Sequence, residues 1–375
     1  MIAIDATPLQ SEHRFRGVGA YTRHLIEHLI AKIPDELAFI ATKNGIDSLP
    51  DTVRQRARVG WRSHRPAQVY WLYNELFLRH MLRSLKPSIF HATDFNGTLR
   101  LPDIPTVATL YDLTNLKVAV QGTDLSTRMS NWRWAVYYQQ KLPKIDRLIA
   151  ISEYVKHEAV SLLDLDPARI SVIPLGIESS KFYPAPGQGR FAGRPPYVLY
   201  VGSRDPNKNL DGVLKAFSMV VDQIPEIHLA VAGRWNPEDT HWLQRHIEEN
   251  SLLRSRVDHL GFVADEDMAS LYSNAEVFLF PSLAEGFGFP VLEAMACGTP
   301  VVASNRDAIP EVAGNAATLI DPLDCASMAS ALIDILLETQ KKTEYRELGL
   351  GRVQLYGWDS VARQTISVYR TAQSP

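Results

Sequence analysis

The sequence predicts an α/β protein made of two Rossmann-like domains, each built on a parallel sheet. Short apolar segments typical of buried strands alternate with amphipathic helical segments along the chain. A stretch rich in Pro and Gly, residues 184–196, divides this alternation into two halves and is predicted to be a linker. The length of 375 residues, with 46% hydrophobic and 22% charged residues, suits two domains with the composition of a soluble protein.

The first predicted domain comprises residues 1–183 and opens with an apolar strand at 1–5. Apolar residues then recur at helical spacing after the glycines at 17 and 19, namely Tyr21, Leu25, Leu29 and Ile33. The further strands predicted in this half are 88–91, 106–110 and 147–151, and the apolar stretch 172–176 closes the set.

The second predicted domain comprises residues 197–359 and repeats the same alternation. Its predicted strands are 197–201, 227–232, 258–260, 277–280, 300–303 and 317–320. The final stretch, 360–371, has a helical pattern.

The segment from Glu285 to Glu293 carries the clearest functional signal. It follows the apolar strand 277–280, and Gly286 and Gly288 allow a tight turn and a close approach to a ligand. Pro290 suits the first helical position, so a helix N-terminus with free N–H groups faces the loop and favours anions. Two carboxylates beside such a helix end suggest a ligand with hydroxyls at both ends and phosphates between them, which is the shape of a nucleotide sugar.

This segment, followed by Gly298-Thr-Pro-Val-Val-Ala303, resembles the Glu-x7-Glu motif of the retaining glycosyltransferases of family 4, of the type found in bacterial polysaccharide biosynthesis. The resemblance extends over nearly the whole chain. It implies the GT-B fold, in which two Rossmann-like domains with parallel sheets face each other across a cleft. It also implies that a C-terminal helix at 360–375 completes the first domain, that Glu285 contacts the donor sugar and that Glu293 contacts the ribose. The alternative is a helix N-terminus whose acidic residues merely complement its dipole.

Other parts of the chain are predicted to bind the donor. Lys208 and Arg204, in the polar loop after strand 197–201, are expected to neutralise its diphosphate. The resemblance also implies that a glycine-rich loop reaches the phosphates and that the segment after strand 258–260 binds the base. For Phe262 the alternative is an ordinary core position. The remaining predicted donor-binding residues are Gly17, Gly19, Ser203, Val263, Gly286, Phe287, Gly288 and Phe289.

Four polar residues at strand ends of the first half are predicted to lie on the acceptor and sugar side: His91, Asp94, Tyr111 and Asp112. Many members of the resembled family have His-Asp where this chain has Tyr111-Asp112. The tyrosine still donates a hydrogen bond but removes a group that titrates near neutral pH. His91 has two interpretations, a catalytic residue or a satisfied structural histidine at a strand end.

Composition limits the partners and the compartment. A net charge of −3 gives no electrostatic basis for binding nucleic acid. The basic residues Arg54, Arg56, Arg58, Arg62 and Arg65, followed by the aromatic residues Trp61, Tyr70, Trp71, Tyr73, Trp132 and Trp134, predict a face for a membrane surface or a saccharide, or a merely solvated helix face. Cys297 and Cys325 suggest neither a disulfide framework nor a metal site. The N-terminus does not have the pattern of a signal peptide, which favours the cytoplasm or the inner face of its membrane.

The predicted activity is transfer of a hexose from a nucleoside-diphosphate sugar to a saccharide or lipid-linked acceptor, with retention of configuration. A UDP-hexose such as UDP-glucose is favoured as the donor, and GDP-mannose comes next. No cofactor and no metal are expected, since no Asp-x-Asp motif accompanies these residues. The alternatives are a nucleotide-sugar epimerase or hydrolase, and a non-catalytic protein that binds nucleotide sugars.

Overall fold

The computed structural model describes residues 1–10, 17–43, 45–60, 78–94, 103–114, 116–117, 136 and 138–373. The chain forms two compact units. Residues 1–176 and 358–375 make the first unit, and residues 177–357 make the second. Each unit contains one all-parallel sheet, which confirms the predicted α/β class with two Rossmann-like domains.

The sheet of the first unit has seven strands in the order β3-β2-β1-β4-β5-β6-β7. Its strands are β1 Ile2–Asp5, β2 Leu37–Thr42, β3 Ala57–Gly60, β4 Ile89–Ala92, β5 Thr106–Leu110, β6 Arg147–Ala150 and β7 Ile170–Val172. Strands β1, β2, β4 and β5 are buried at every residue, as expected for parallel strands covered on both faces. The strand order reverses between β1 and β4, which makes this pair the topological switch point of the sheet.

Five α-helices are described in the first unit: Gly17–Lys32, Asp51–Arg54, Arg79–Leu85, Glu153–Leu163 and Trp358–Gln373. Short 3-10 helices connect them at Thr7–Gln10, Pro34–Glu36, Ile46–Ser48, Leu142–Lys144 and Pro167–Arg169. The Ser152 side chain accepts a hydrogen bond from the Val155 backbone N–H and caps the helix Glu153–Leu163.

The C-terminal helix Trp358–Gln373 belongs to the first unit although its sequence follows the second. A chain of buried polar groups joins it to the sheet. The His91 Nδ1 atom lies 2.6 Å from the Tyr369 hydroxyl, and Nε2 lies 2.9 Å from Thr109 Oγ1. The Tyr21 hydroxyl lies 3.0 Å from the same Thr109 oxygen, so this network connects two helices with two strands.

The sheet of the second unit has six strands in the order β10-β9-β8-β11-β12-β13. Its strands are β8 Tyr197–Val201, β9 His228–Ala232, β10 Val257–Gly261, β11 Val277–Phe280, β12 Val301–Ser304 and β13 Thr318–Ile320. All six agree with the predicted strands within a few residues. The order reverses between β8 and β11, which defines the switch point of this sheet.

The α-helices of the second unit are Leu210–Gln223, Pro237–Glu249, Met268–Ser273, Phe289–Ala296, Ile309–Ala313, Cys325–Leu337 and Thr339–Val353. Two 3-10 helices, Pro206–Lys208 and Asp265–Asp267, lie in its loops. A core cluster joins apolar side chains of the helix Leu210–Gln223 to those of the central strands and of the helix Cys325–Leu337. None of the helices in the described residues has both the length and the apolar character needed to cross a membrane.

The stretch 184–196, predicted to be a linker, lies within the second unit. The Ala185 N–H donates to Ser273 Oγ at 3.0 Å, and the Phe191 N–H donates to Ser270 Oγ at 3.1 Å. Phe191 is also buried. The Pro and Gly content of the stretch 184–196 therefore reflects an irregular backbone. Hydrogen bonds attach this stretch to the helix Met268–Ser273.

Candidate active site

The strongest candidate site lies at the carboxyl ends of β8 and β11. In open parallel sheets, ligands bind beyond the strand ends where the strand order reverses. The loop after β8 carries Arg204 and Lys208, and the loop after β11 carries Glu285. The switch point thus lies between the two segments that the sequence marks most strongly.

Lys208 and Glu285 form an ion pair at this position, with the lysine Nζ donating to the glutamate Oε1. Both side chains remain partly exposed, at 30% for Lys208 and 17% for Glu285. The Lys208 ammonium also lies 5.3 Å from the centre of the Phe280 ring. The pair places a lysine ammonium, which can bind a phosphate, beside a carboxylate, which can accept hydrogen bonds from sugar hydroxyls. Both are open to solvent, which suits a ligand carrying phosphate and sugar groups.

The Glu285 loop is held from the neighbouring loop after β12. The Glu285 N–H donates to Asp307 Oδ2 at 3.1 Å, and the Ala308 N–H approaches the Glu285 carbonyl at 3.4 Å. Asp307 has a φ of 54°, an uncommon value for a residue other than glycine. A strained backbone beside a candidate ligand group is typical of functional sites, where the surrounding contacts enforce it.

The Lys208 loop is fixed in a similar way by Asn209, which also has a φ of 54°. Its Nδ2 atom donates to the carbonyls of Pro322 at 2.6 Å and Pro281 at 3.3 Å. Asn209 therefore ties the loop that carries Lys208 to the end of β11. A Cβ atom at position 212 would lie 2.5 Å from the Asn209 Oδ1 atom. Glycine at this position leaves room for the Asn209 side chain.

The glycine loop before the helix Phe289–Ala296 has the predicted form. Gly288 has a φ of 112°, and a Cβ atom there would lie 2.5 Å from Ile309 Cδ1. Gly286 is partly exposed, whereas Phe287 is 4% exposed and its ring packs against Phe289 and Tyr356. The Phe287 side chain is therefore part of the core and shapes the loop, and the predicted donor contact of this residue stays a prediction.

Glu293 lies one turn into this helix, as predicted. Its Oε2 atom accepts a hydrogen bond from the Tyr272 hydroxyl at 2.9 Å. Burial raises the pKa of the Glu293 carboxyl, while the Tyr272 hydrogen bond and the charge of Lys181 oppose that rise. The contacts leave its proposed role towards a ribose as a prediction.

Arg204 and Ser203 follow β8 but have partners of their own. The Arg204 guanidinium lies 3.3 Å from Asp239 Oδ1 and 4.3 Å from the centre of the Trp242 ring, both on the helix Pro237–Glu249. To bind a diphosphate, the Arg204 side chain would turn away from its contacts on this helix. The Ser203 hydroxyl accepts from the Asp205 N–H at 3.3 Å and shapes the same loop.

Phe262 lies at the carboxyl end of β10 and is 58% exposed, which rules out the core alternative. The guanidinium of Arg234, just after β9, lies 4.4 Å from the centre of its ring. This stacked pair is a flat surface suited to a planar ring. Val263 is buried beneath it. Arg234 was missed from the sequence, although Gly233-Arg234-Trp235 directly after an apolar strand was the available signal.

The predicted acceptor-side residues of the first unit are mostly enclosed. His91 lies in the core, hydrogen-bonded through both nitrogens, and burial lowers its pKa to about 3. This placement identifies it as the structural histidine of the two interpretations. The Tyr111 hydroxyl donates to the Thr93 carbonyl at 2.6 Å, and burial raises its pKa. Asp94 is buried, whereas Asp112 is exposed and caps the following turn through the Thr114 N–H.

A buried carboxyl at the end of β1 was missed from the sequence. Asp5 is 3% exposed, and its Oδ1 atom accepts hydrogen bonds from the Thr7 N–H at 2.9 Å and from the Thr7 hydroxyl at 2.7 Å. Burial raises its pKa to about 6, and the nearby charge of Asp94 acts in the same direction. An Asp that ends a strand gives no such signal in sequence, since burial is a tertiary property.

Gly17 and Gly19 open the helix Gly17–Lys32, as predicted, and Gly17 is exposed while Gly19 is buried. Their role towards phosphates stays a prediction. In the basic and aromatic segment, Arg54, Arg56 and Arg58 are described, with Arg54 paired to Asp47 and Asp51. The other residues of that face, Trp61, Arg62, Arg65, Tyr70, Trp71, Tyr73, Trp132 and Trp134, lie outside the described residues.

Within the described part of the chain, no group of three or more His, Cys, Asp or Glu side chains is arranged to hold a metal ion. The expected independence from metal stays a prediction. The candidate site consists of Lys208, Glu285 and the loops that carry them.

Comparison with known proteins agrees with this architecture. Residues 185–349 match the family described as "Glycosyl transferases group 1", and residues 15–181 match "Glycosyltransferase Family 4". Sucrose-phosphate synthase from Thermosynechococcus elongatus has a similar fold, with a TM-score of 0.78 at 22% identity over 99% of this chain and 98% of that one. The fold is therefore GT-B, and the two family matches support a glycosyltransferase.

Within this class, the chain combines a family 4 region with a group 1 region, and its curated relatives include mannosyltransferases. O-antigen chain mannosyltransferase B of Escherichia coli is 26% identical over 377 residues, which cover 94% of this chain and 96% of that protein. MMP alpha-(1->4)-mannosyltransferase of Mycolicibacterium hassiacum is 31% identical over 260 residues, which cover 64% of this chain and 58% of that protein.

Proposed function

We propose that this protein transfers a mannosyl group from GDP-mannose to a saccharide or lipid-linked saccharide, with retention of anomeric configuration. The Lys208–Glu285 pair at the switch point is the observation that carries the proposal. The names of the relatives favour a mannosyl donor over the UDP-hexose expected from the sequence.

The proposed chemistry uses the two charges of this pair separately. Cleavage of the bond between the sugar and the diphosphate builds negative charge on the leaving group and positive charge on the sugar ring. Lys208 would turn to the diphosphate and stabilise the first charge, while Glu285 would accept hydrogen bonds from the ring hydroxyls and stabilise the second. Because both interactions strengthen as the charges develop, they lower the barrier more than they tighten binding of the donor.

The position of the base is supported by the pair of Phe262 and Arg234. The end of β10 is two strand spacings from the end of β8, or about 10 Å, which leaves room for a ribose between a diphosphate at Lys208 and a base at Phe262. An arginine that stacks on a ring can also donate two hydrogen bonds to the O6 and N7 atoms of guanine. Uracil has no such pair of acceptors, so this arginine favours a guanine nucleotide.

Retention and independence from metal are parts of the same proposal. Glu285 is expected to orient the donor without forming a covalent bond to it. Retention would then follow from attack on the face that the diphosphate leaves, with a phosphate oxygen accepting the proton of the acceptor hydroxyl. The last part of the proposal is that the basic residues around Arg54 bring the protein to a membrane surface, where the saccharide acceptor is bound.

Product analysis with the purified protein tests this function. GDP-mannose, UDP-glucose and UDP-galactose are each incubated with a saccharide acceptor and EDTA, and the products are separated and their anomeric configuration determined. A new α-mannoside formed from GDP-mannose supports the proposal. A new sugar nucleotide or free mannose would instead identify an epimerase or a hydrolase, and no conversion would identify a binding protein.

Lys208→Ala and Lys215→Ala form a matched pair for the same assay. Lys215 is exposed on the helix Leu210–Gln223, which begins directly after the Lys208 loop. We expect Lys208→Ala to lose about 100-fold or more in kcat/KM for the donor, because a charged partner of the leaving group is removed. Lys215→Ala should retain wild-type activity. Equal activities in the two variants would contradict the role of Lys208.

A further inference from the structure

Ser282, directly after Pro281 at the end of β11, touches both halves of the candidate site. It is 2% exposed, and its Oγ atom lies 2.7 Å from Glu285 Oε1 and 2.8 Å from the Asn207 carbonyl oxygen. Asn207 belongs to the 3-10 helix Pro206–Lys208, so this one hydroxyl reaches both the Glu285 carboxylate and the backbone that carries Lys208.

The hydroxyl of Ser282 has one proton for these two acceptors. The Asn207 carbonyl already accepts a hydrogen bond from the Leu283 N–H at 2.7 Å, so it is satisfied without Ser282. The carboxylate gains more from the proton, because hydrogen bonds to charged acceptors are about twice as strong as those between neutral groups. Ser282 therefore donates to Glu285 Oε1.

The same carboxylate oxygen also accepts from Lys208 Nζ. In the free protein, two donors thus hold one oxygen of Glu285. The proposed function, on which this step rests, requires Lys208 to turn towards the diphosphate of the donor. Once Lys208 has turned away, Ser282 is the one of these two donors that still holds Glu285 Oε1.

We propose that Ser282 is a positioning residue that holds the Glu285 carboxylate in its reactive orientation while Lys208 binds the diphosphate. A glutamate side chain has three rotatable bonds, and a displacement of about 1 Å at a reacting centre lowers rates substantially. Ser282 is rigid by comparison, because it is short, buried and attached to the end of a core strand. It transmits the position of β11 to the carboxylate.

Kinetics with Ser282→Ala test the proposal. We expect kcat to fall by about 10- to 100-fold, as for the loss of a hydrogen bond to a charged group, while KM for the donor changes by less than about threefold. Ser270→Ala is the matched control, since Ser270 is also buried in the second unit and its hydroxyl bonds to the stretch 184–196 through the Phe191 N–H and the Gln188 carbonyl, away from the loops of the candidate site. That control should keep its kcat within about twofold of wild type.

A double-mutant cycle separates positioning from a general loss of packing. In the Glu285→Ala background there is no carboxylate to orient, so adding Ser282→Ala should change the residual rate by less than about twofold. An equal loss in both backgrounds would overturn the proposal, as would wild-type kcat in Ser282→Ala. Either result leaves the proposed function standing if the wild-type protein forms the glycoside.

Crystal structures of two variants test the positioning without turnover. In Lys208→Ala, which imitates the withdrawal of the lysine, the Glu285 carboxylate should keep its contact with Ser282. In Lys208→Ala/Ser282→Ala it should leave that position or become disordered. A carboxylate that stays in place in the double variant, or that moves already in Lys208→Ala, would overturn the proposal. This holds whichever donor the enzyme uses.

Discussion

The two sheets share a topology but differ at their carboxyl edges. At the switch point of the second unit, Lys208 and Glu285 are partly exposed and paired with each other. At the switch point of the first unit, Asp5 and Asp94 are buried, and Tyr111 nearby donates to a backbone carbonyl. In the second unit, Lys208 and Glu285 can exchange their ion pair for a ligand. In the first unit, the polar groups already have hydrogen-bond partners within the protein.

Burial also changes the titration of groups in the first unit. In the first unit, burial moves the pKa of Asp5 up to about 6 and that of His91 down to about 3. These shifts are consequences of enclosure, since desolvation is the largest cause of each. The burial of Asp5 and His91 shows that charge and position at a strand end do not by themselves identify a group that can meet a ligand.

The largest effect is expected for Glu285→Ala in the second unit. We expect kcat to fall by about 100- to 1000-fold while the melting temperature changes little, because Glu285 is assigned to the transition state and not to the core. Steady-state kinetics and thermal unfolding measure the two effects. Glu344→Ala, at an exposed glutamate of the helix Thr339–Val353, is the control. Turnover near that of wild type would remove Glu285 from the mechanism.

The opposite behaviour is expected for His91→Ala in the first unit. It leaves the Tyr369 and Thr109 hydroxyls without their shared partner and opens a cavity, so the free energy of unfolding should fall by about 2–4 kcal/mol. Chemical denaturation measures the loss, and His80→Ala, at an exposed site on the helix Arg79–Leu85, should cause none. An unchanged free energy of unfolding would show that the network does not stabilise the first unit.

His91 also predicts a pH dependence. Its folded pKa of about 3 lies below the ordinary histidine value of 6.5, so the unfolded chain takes up a proton before the native protein does. The His91 contribution is therefore fully present above pH 6.5 and is lost as the pH falls towards 3. The free energy of unfolding of wild type minus that of His91→Gln should therefore decrease as the pH falls from 6.5 towards 3, since other titrating groups contribute equally to both proteins. A difference that does not change with pH would show that His91 does not cause this dependence.

A smaller effect of opposite sign is expected for Asp5→Asn. The folded pKa of Asp5, about 6, lies above the ordinary aspartate value of 3.8, so its contribution is present below pH 3.8 and is lost as the pH rises through 6. The variant should therefore be more stable than wild type at pH 7.5, by on the order of 1–3 kcal/mol, and similar at pH 3.5. Equal stability at pH 7.5 would mean that the enclosure of Asp5 is relieved in solution.

The smallest expected effect is that of Asp239→Asn. Releasing Arg204 from its partly exposed partner should lower KM for the donor by no more than about threefold, since exposed ion pairs contribute little. Donor saturation curves at low and high salt measure it. The difference from wild type should shrink as salt screens the pair. A rise in KM would show that Asp239 supports the site instead of competing for Arg204.

Local sequence determined most of the second unit. Five of its six strands are mainly apolar and are followed by Gly, Pro or polar residues, whereas β10 includes Asp258 and His259. The loop from Glu285 to Glu293 was predicted with its glycines and its helix. In the first unit, β2 and β3 were missed. The segment Leu37–Thr42 is apolar up to Ala41 and follows closely on the helical pattern before it. Only its pairing with β1 distinguishes the two structures.

By itself, the sequence determined the fold class, the type of ligand group that each loop offers and the family that the chain resembles. Tertiary structure decided which of those groups meet. Lys208 and Glu285 are far apart in sequence and come together because β8 and β11 are neighbours at a reversal of strand order. It also decided that Phe262 is exposed and that His91 is enclosed. Residue type and spacing are local properties, whereas strand order and burial depend on the whole chain, and here they separate the candidate site from the core.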